Sequence, residues 1–196
     1  MKFARLCSIL TVVFYASPIF AKGEATGHVG LEYGKSAPQS HLIDTVGSGE
    51  TLRLRLFGGA KIQQKGVGAV GLGLDLSYSD YELKNNLTGH YRRVVWDWFF
   101  LPLNIGFLEI TPGLTWVITD VHIEEYDVRH VSIRPGGLIG LGFRIGILPY
   151  VALTGQVRAE RVWEDKARAV AANLDFDTLT ITGDYISATV GIMAFF

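Results

Sequence analysis

Hydrophobic and polar residues alternate with a period of two along most of the chain. Within residues 51–61, Leu52 and Leu54 fall on one face of an extended strand, and Arg53 and Arg55 fall on the other. This period is typical of β-strands with two different faces, and no helical periodicity persists. Eight strands are predicted, over residues 25–34, 50–62, 66–79, 91–104, 110–121, 130–144, 148–163 and 178–196.

The connections between these segments alternate between short and long. Bacterial outer-membrane barrels have short periplasmic turns and longer outside loops, and an even strand number leaves both termini in the periplasm. The pattern therefore predicts an all-β fold, a closed antiparallel up-and-down transmembrane β-barrel of eight strands. The short connections are 63–66, 105–109 and 145–148, and the long ones are near 35–49, 80–90, 122–129 and 164–177.

The two faces of each strand indicate which side meets lipid. One face is continuously apolar, whereas the other carries glycine, hydroxyl groups and charge, which is too small and too polar for a hydrophobic core. We therefore expect Leu52, Leu54 and Leu56 to face lipid, and Arg53 and Arg55 to face the lumen. Because backbone groups in hydrocarbon need partners, the first and last strands should pair and close the sheet.

The N-terminus has the pattern of a secretory signal peptide. Lys2 and Arg5 precede an apolar stretch at residues 6–15, and the small residue Ala21 follows. We expect residues 1–21 to be a cleaved signal and residues 22–196 to form the barrel domain. The sequence has one cysteine, Cys7, which would leave with the signal, so a fold held by disulfides is excluded for the mature chain.

Composition narrows the class of protein further. The chain is 48% hydrophobic with 23 glycines, yet after the N-terminus no apolar run reaches the ~20 residues that a membrane helix needs. The formal net charge is -1, which does not give the basic surface expected of a nucleic-acid-binding protein.

The last predicted strand ends on an aromatic residue, Phe196, preceded by apolar residues at alternating positions. Together with the signal sequence, this resembles the small eight-stranded outer-membrane β-barrel proteins of the OmpA membrane-domain and OmpX type. The resemblance implies an integral protein of the Gram-negative outer membrane. It also implies recognition of the Phe196 strand by the barrel-assembly machinery, and contact with outer-membrane lipid and lipopolysaccharide. A monomer is expected.

An eight-stranded barrel is wide enough only for side chains to fill it. The expected filling is a network of ion pairs, because isolated buried charges are costly. An anion-binding cluster or a polar gate is the alternative, because this set holds seven cations and three anions. The charged residues placed in the lumen are Arg53, Arg55, Lys61, Asp75, Arg93, Asp97, Arg134, Arg144, Arg158 and Glu160.

Two further expectations concern irregular positions. Pro135 lies inside a predicted strand and precedes two glycines, which predicts a β-bulge or kink there. Phe57 and Phe99 are expected to fill the lumen.

His130 and Ser132 are the candidates for an enzymatic function, since they share a strand face. Their spacing resembles that of outer-membrane lipid A deacylases, which use a histidine and a serine with a nearby glutamate. No glutamate follows at a comparable distance, and Arg144 occupies that region. The five histidines show no tight metal-ligand spacing, so no metal or other cofactor is expected.

The sequence therefore predicts a non-enzymatic barrel with a structural, surface-interaction or minor, porin-like solute-passage role. Two alternatives remain open. One is a lipid A-modifying enzyme that uses His130 and Ser132. The other is a carrier of small hydrophobic molecules with an opening in the wall near Pro135.

Overall fold

The computed structural model describes residues 25–39, 46–61, 69–163, 166–167, 179–180 and 183–196. The predicted signal peptide lies outside these residues. No helix among them is long and apolar enough to cross a membrane. The strands are β1 (Ala25–Pro38), β2 (Val46–Lys61), β3 (Ala69–Leu83), β4 (Gly89–Phe100), β5 (Leu103–Ile105), β6 (Leu108–Ile123), β7 (Val128–Leu148), β8 (Val151–Val162), β9 (Lys166–Ala167), β10 (Leu179–Thr180) and β11 (Asp184–Phe195).

The long strands form one closed antiparallel sheet. Each strand pairs with its neighbour in sequence from β1 to β4 and from β6 to β8, and β5 continues the line of β4 along β6. The β4–β6 ladder and the pairing of β11 with both β8 and β1 complete the circle. The predicted eight-stranded barrel is confirmed, and so is its closure between the first and last strands. Strands β9 and β10 form a separate two-stranded pair.

The register of the ladders gives the tilt of the strands. Partners traced from Leu31 through β2, β3, β4 and β6 lead to Pro135 on β7. Partners traced from Leu31 through β11 and β8 lead instead to Ile145 on the same strand. This offset of ten residues is the shear of the barrel. With ordinary strand spacing it corresponds to a tilt of about 41°, within the range of membrane barrels.

One end of the barrel, here called the turn end, holds the start of β1, the end of β11 and the short turns that the structure describes. The predicted turn in 105–109 is confirmed at Gly106 and Phe107, and Gly106 has the left-handed φ of 64° that glycine tolerates. The turn predicted at 145–148 is displaced, because these residues belong to β7 and the chain reverses at Pro149 and Tyr150. The predicted turn at 63–66 lies outside the described residues.

The opposite end, here called the loop end, has longer strands than the sequence predicted. The predicted loops at 80–90 and 122–129 are short reversals, because β3 extends to Leu83 and β6 to Ile123. The alternation continues there, but the outer face carries charged residues such as Asp80 and Arg92 in place of apolar ones. The charged outer face of these strand ends therefore indicates a loop by composition, although the strands continue past the apolar surface.

The bulge predicted at Pro135 is wrong. Pro135 pairs with Trp116 in an unbroken register within β7. Its carbonyl oxygen accepts from the backbone N–H of Trp163 at 3.3 Å, so this side of Pro135 faces the last residues of β8. Because the N–H and C=O of a strand residue point the same way, the missing donor falls where the β7–β8 ladder ends at Gly136 and Val162.

A bulge occurs instead in β4, between Asp97 and Phe99. It places Trp98 and Phe99 together on the outside, where Phe99 is 52% exposed, and turns Phe100 into the lumen at 4% exposure. The expectation that Phe99 fills the lumen is therefore wrong. Phe57 is buried in the lumen.

The two faces divide as the alternation requires. Leu52 is 49% exposed, whereas Arg53 and Arg55 on the same strand are 2% exposed. Leu54 is partly exposed on the outer face, and Leu56, also on that face by alternation, is buried. Other large apolar side chains that lie exposed on the outside are Leu31, Tyr33, Leu76, Tyr78, Trp96, Trp98, Trp116, Ile133, Ile139, Leu141, Val157, Ile186, Val190 and Ile192. The molecule thus has an apolar exterior and a polar interior.

Candidate functional site: the polar lumen

The middle of the lumen is built around Arg53 on β2. Its guanidinium donates from Nε to Asp75 Oδ1 at 2.7 Å, and a second donor pairs with the other oxygen of the same carboxylate. Its Nη1 donates to Glu32 at 3.2 Å, and Glu32 also accepts from the Thr189 hydroxyl at 2.7 Å. Alternation on β1, β2, β3 and β11 brings these groups to one level of the interior. Such charge-assisted bonds are the strong ones in proteins.

Arg55 extends the network toward the turn end. It donates to Asp75 at 3.2 Å and to Glu109 at 2.6 Å, and Glu109 also accepts from Arg144. The amide of Gln156 links the two arginines of β2, because its oxygen accepts from Arg53 and, at 3.2 Å, from Arg55.

A second set of ion pairs lies nearer the loop end. Arg158 holds Asp97 in a two-pronged contact at 2.6 and 2.5 Å, and its Nε lies 2.7 Å from Glu160. Arg93 donates to the same glutamate at 3.1 Å. Arg158 also lies 3.9 Å from Asp75, which joins the two sets into one network.

The charges of this network balance. The five cations are Arg53, Arg55, Arg93, Arg144 and Arg158, and the five anions are Glu32, Asp75, Asp97, Glu109 and Glu160. The expected excess of seven cations over three anions is therefore wrong for the described residues. A balanced set is what a buried ionic cluster requires, since an unpaired charge in a low dielectric is costly.

Two carboxylates and two cations account for the difference between the predicted and the observed charges of the lumen. Glu32 is missing from the predicted set although it alternates with Leu31 and Tyr33, and Glu109 falls in a predicted turn. Arg134 was expected in the lumen, but its side chain is exposed. It lies on β7 beyond Gly136, the last residue of that strand that pairs with β8. The side chain of Lys61 lies outside what the structure describes.

The loop end of the lumen is closed by an aromatic and aliphatic layer. Tyr91 and Tyr185 share a hydrogen bond between their hydroxyl groups, and the Tyr81 hydroxyl donates to Ser36 at 2.8 Å. The guanidinium of Arg93 lies 3.5 Å from the centre of the Tyr185 ring, a cation–π contact. The buried residues of this layer are Val46, Tyr81, Tyr91, Val121, Ile123 and Tyr185.

A second aromatic layer closes the turn end. His28 stacks on Phe57 with ring centres 5.1 Å apart, and Phe57 contacts Phe100 at 6.0 Å. Phe195 meets the edge of His28 at 5.9 Å, and the Arg144 guanidinium lies 5.2 Å from the Phe195 ring. The described strands therefore enclose two aromatic layers with an ionic layer between them.

Replacing Gly140 with alanine should disturb the ionic layer from the wall. A Cβ at this position would lie 2.5 Å from the Gln156 amide nitrogen, which displaces Gln156 from Arg53 and Arg55. We expect a loss of about 1–3 kcal/mol in the free energy of unfolding, measured with urea in detergent. Gly146→Ala on the same strand is the control, since nothing lies within 4 Å of its Cβ. If Gly140→Ala and Gly146→Ala have the same free energy of unfolding, the position of Gln156 does not depend on the space beside Gly140.

The structure shows no hydrogen bond between His130 and Ser132, the two residues of the candidate enzymatic site. Ser132 is buried, and its hydroxyl has no hydrogen-bond partner among the described residues. His130 is half-buried on the same face of β7. In the part of the chain that the structure describes, no three His, Cys, Asp or Glu side chains are arranged to hold a metal ion.

The loop end carries a polar contact between two reversals of the chain. The Thr88 hydroxyl and backbone N–H lie 2.8 and 2.7 Å from one oxygen of Glu125. These bonds to Thr88 lower the pKa of the Glu125 carboxyl below its usual value. The contact ties the β3–β4 turn to the 3-10 turn at Glu124–Tyr126.

No protein-family model matches the chain, and a search of curated proteins found no match. Among solved structures, it is similar to a major outer membrane protein of Thermus thermophilus, with 10% identity, 88% of this chain and 99% of that chain covered, and a TM-score of 0.53. Neisserial surface protein A matches at 10% identity, with coverages of 87% and 96% and a TM-score of 0.46. Ail of Yersinia pestis, solved with the heparin analogue sucrose octasulfate, matches at 9%, with 90% and 100% covered and a TM-score of 0.47.

The similarity to the Thermus protein agrees with the strand pairings described above. At this identity it shows the fold alone, an eight-stranded barrel of the kind found in outer-membrane proteins.

Proposed function

We propose that the chain is an integral outer-membrane protein that presents its loop end at the cell surface and does not conduct solutes through its lumen. The observation that carries this proposal is the inverted distribution of side chains. The exterior offers rows of exposed leucine, isoleucine, valine and aromatic residues, while the arginines and carboxylates are paired inside. Acyl chains are the medium that suits such an exterior.

The orientation rests on where the exterior becomes charged. On five strands the outer-face residues change from apolar to charged toward the loop end. This end therefore suits water and lipid headgroups, and the short turns at the other end suit the periplasm. The exposed charged residues are Lys35, Glu50, Asp80, Arg92 and Arg161.

The filled lumen supports a role in which the protein acts through its outer surface and not by passing solutes. Two aromatic layers and a balanced ionic layer occupy the interior of the described strands, which favours a structural or surface-interaction role over solute passage. The Ser132 hydroxyl, which has no hydrogen-bond partner among the described residues, gives no support to the lipid A-modifying alternative. The unbroken β6–β7 register at Pro135 gives none to a wall opening.

The partners in this proposal are outer-membrane lipid and lipopolysaccharide and, during biogenesis, the barrel-assembly machinery. Phe196 supports the last of these, because its side chain is exposed while its backbone pairs with Gly27 at 3.0 and 3.1 Å. The strand that closes the barrel thus ends on an outward-facing aromatic residue. We propose a monomer.

Fractionation and conductance test the function together. We expect the protein in the outer-membrane fraction, with a heat-dependent shift in gel migration and loop-end cysteines that react with an impermeant reagent on intact cells. In planar bilayers the inserted protein should give no steady conductance, and lipid A from a deletion strain should have an unchanged mass spectrum. A steady conductance would contradict the closed lumen, and recovery in the soluble periplasmic fraction would contradict the location.

A further inference from the structure

Two histidines that are distant in the sequence meet on the outer face of the loop end. His90 on β4 and His122 on β6 are direct partners in the β4–β6 ladder. Both side chains alternate with inward-facing residues, so they point away from the lumen. Thirty-one residues separate them in the chain, which is why no local spacing revealed them. Directly opposed residues of an antiparallel pair have Cα atoms about 4.5–5.5 Å apart, so both rings reach the same point.

The distance between the two rings suits a shared metal ion. Their centroids lie 5.7 Å apart, and the ring planes are inclined at 40°. A metal bound at 2.0–2.1 Å to one nitrogen of each ring, with tetrahedral angles, places the centroids about 5.2 Å apart. The observed separation thus exceeds this value by about half an ångström, and ring rotations would aim one nitrogen of each ring at a shared ion.

A carboxylate is already placed to orient one of the rings. His90 Nε2 lies 3.2 Å from Asp120 Oδ2, and Asp120 shares the outer face of β6 with His122. With Nε2–H donated to Asp120, the Nδ1 of His90 is left as an acceptor. Metal-ligating histidines are commonly held this way, by a carboxylate on the ring nitrogen that does not bind the metal.

The second ring has an unused nitrogen. His122 Nδ1 is buried and has no hydrogen-bond partner among the described residues. A buried acceptor without a partner is unfavourable, and a bound cation would satisfy it. The neighbouring charges on this outer face are Arg92, which lies across from Asp120, and Arg129, which lies across from His122. Asp120 is the carboxylate that contacts His90.

We propose that His90 and His122 bind a divalent transition-metal ion of the class that favours imidazole, such as Zn²⁺. Asp120 acts as the positioning residue, and water completes the coordination. Because the protein supplies two ligands, the site is open, and it lies where the outer face has become charged. The site gives the loop end a means of holding metal ions from the surrounding solution.

Calorimetric titration of the tag-free, detergent-folded barrel with Zn²⁺ tests the proposal. We expect one ion per chain, with affinity reduced at least about 100-fold by His90→Gln or His122→Gln and about 10–100-fold by Asp120→Asn. His130→Gln, a histidine on β7 that faces away from the pair, is the matched control and should bind as the unmodified protein does. Gel migration before and after heating verifies that each variant is folded.

Three results would overturn the proposal. These are the absence of Zn²⁺ binding up to millimolar concentration, unchanged affinity in both His90→Gln and His122→Gln, and an equal loss in His130→Gln. Zn²⁺ binding by the purified barrel does not depend on its cellular location or conductance, so this test fails or succeeds independently of the proposed function.

Discussion

Replacing Asp75 with asparagine should lower the free energy of unfolding by about 3–5 kcal/mol. Asp75 accepts hydrogen bonds from Arg53 and Arg55 and lies 3.9 Å from Arg158, so the neutral amide leaves three buried cations with too little negative charge. Breaking one partner of a buried ionic cluster is costly because the remaining charges stay desolvated. Urea unfolding in detergent, followed by tryptophan fluorescence, measures the change.

Asp80→Asn is the matched control. Asp80 lies five residues further along β3, is exposed on the outer face, and accepts from Arg92 at 3.4 Å. Exposed ion pairs contribute about 0–1 kcal/mol, so this variant should unfold close to the unmodified protein. If Asp75→Asn and Asp80→Asn have the same small effect, the lumen is hydrated and its ion pairs do not stabilise the barrel.

An arginine on the lipid face should lower the free energy of unfolding by an amount that depends on its position along the barrel axis. Leu141 and Val131 are both on the outer face of β7, with exposures of 59% and 62%. Leu141 pairs with Ile110 and Val157, whereas Val131 pairs with Asp120. Their ten-residue separation corresponds to about 25 Å along the axis at a tilt of about 41°. We expect Leu141→Arg to cost about 2–4 kcal/mol and Val131→Arg about 0–1 kcal/mol.

Reversible unfolding of the two variants in lipid vesicles provides the comparison. Since the two side chains are almost equally exposed, a difference between them reports the surrounding medium and not the packing of the protein. Costs of about 0–1 kcal/mol at both positions would show that both contact water and would contradict the membrane placement of β7.

The sequence was sufficient to predict the barrel and its inversion because both follow from side-chain alternation. A period of two assigns each residue of a strand to a face, so Arg53 and Arg55 fall inside wherever Leu52 lies outside. The closure of β1 with β11 followed from the need to pair every backbone group in hydrocarbon. These inferences need no knowledge of which residues are neighbours across the sheet.

What the sequence did not predict depends on register. The bulge at Asp97 and Phe99 shifts the alternation by one residue, and no glycine or proline marks it. The pairing of Arg55 with Glu109 joins strands on different sides of the lumen. The meeting of His90 with His122 likewise requires the β4–β6 ladder. Each depends on contacts over long sequence distances that alternation alone cannot assign.

The prediction of the strand ends was wrong for a related reason. Beyond the apolar surface the outer face of β3 and β4 becomes charged, as at Asp80 and Arg92, while the inner face continues with Tyr81 and Tyr91. A strand with polar residues outside and tyrosine inside resembles a loop in composition. The strands therefore extend further at the loop end than hydropathy indicates.

The most direct test of the account is a spin-label scan along β11 in lipid vesicles. Single cysteines are introduced at residues 186–190, 192 and 193, since the one native cysteine, Cys7, belongs to the predicted signal peptide. Gly191 is left unchanged because a Cβ there would overlap the backbone of Leu31. Labels at Ile186, Ala188, Val190 and Ile192 should be accessible to oxygen and shielded from a water-soluble nickel complex. Labels at Ser187, Thr189 and Met193 should be shielded from both reagents, as the filled lumen requires. Accessibility of the first group to nickel, or of the second group to oxygen, would contradict the claim that the apolar face meets lipid.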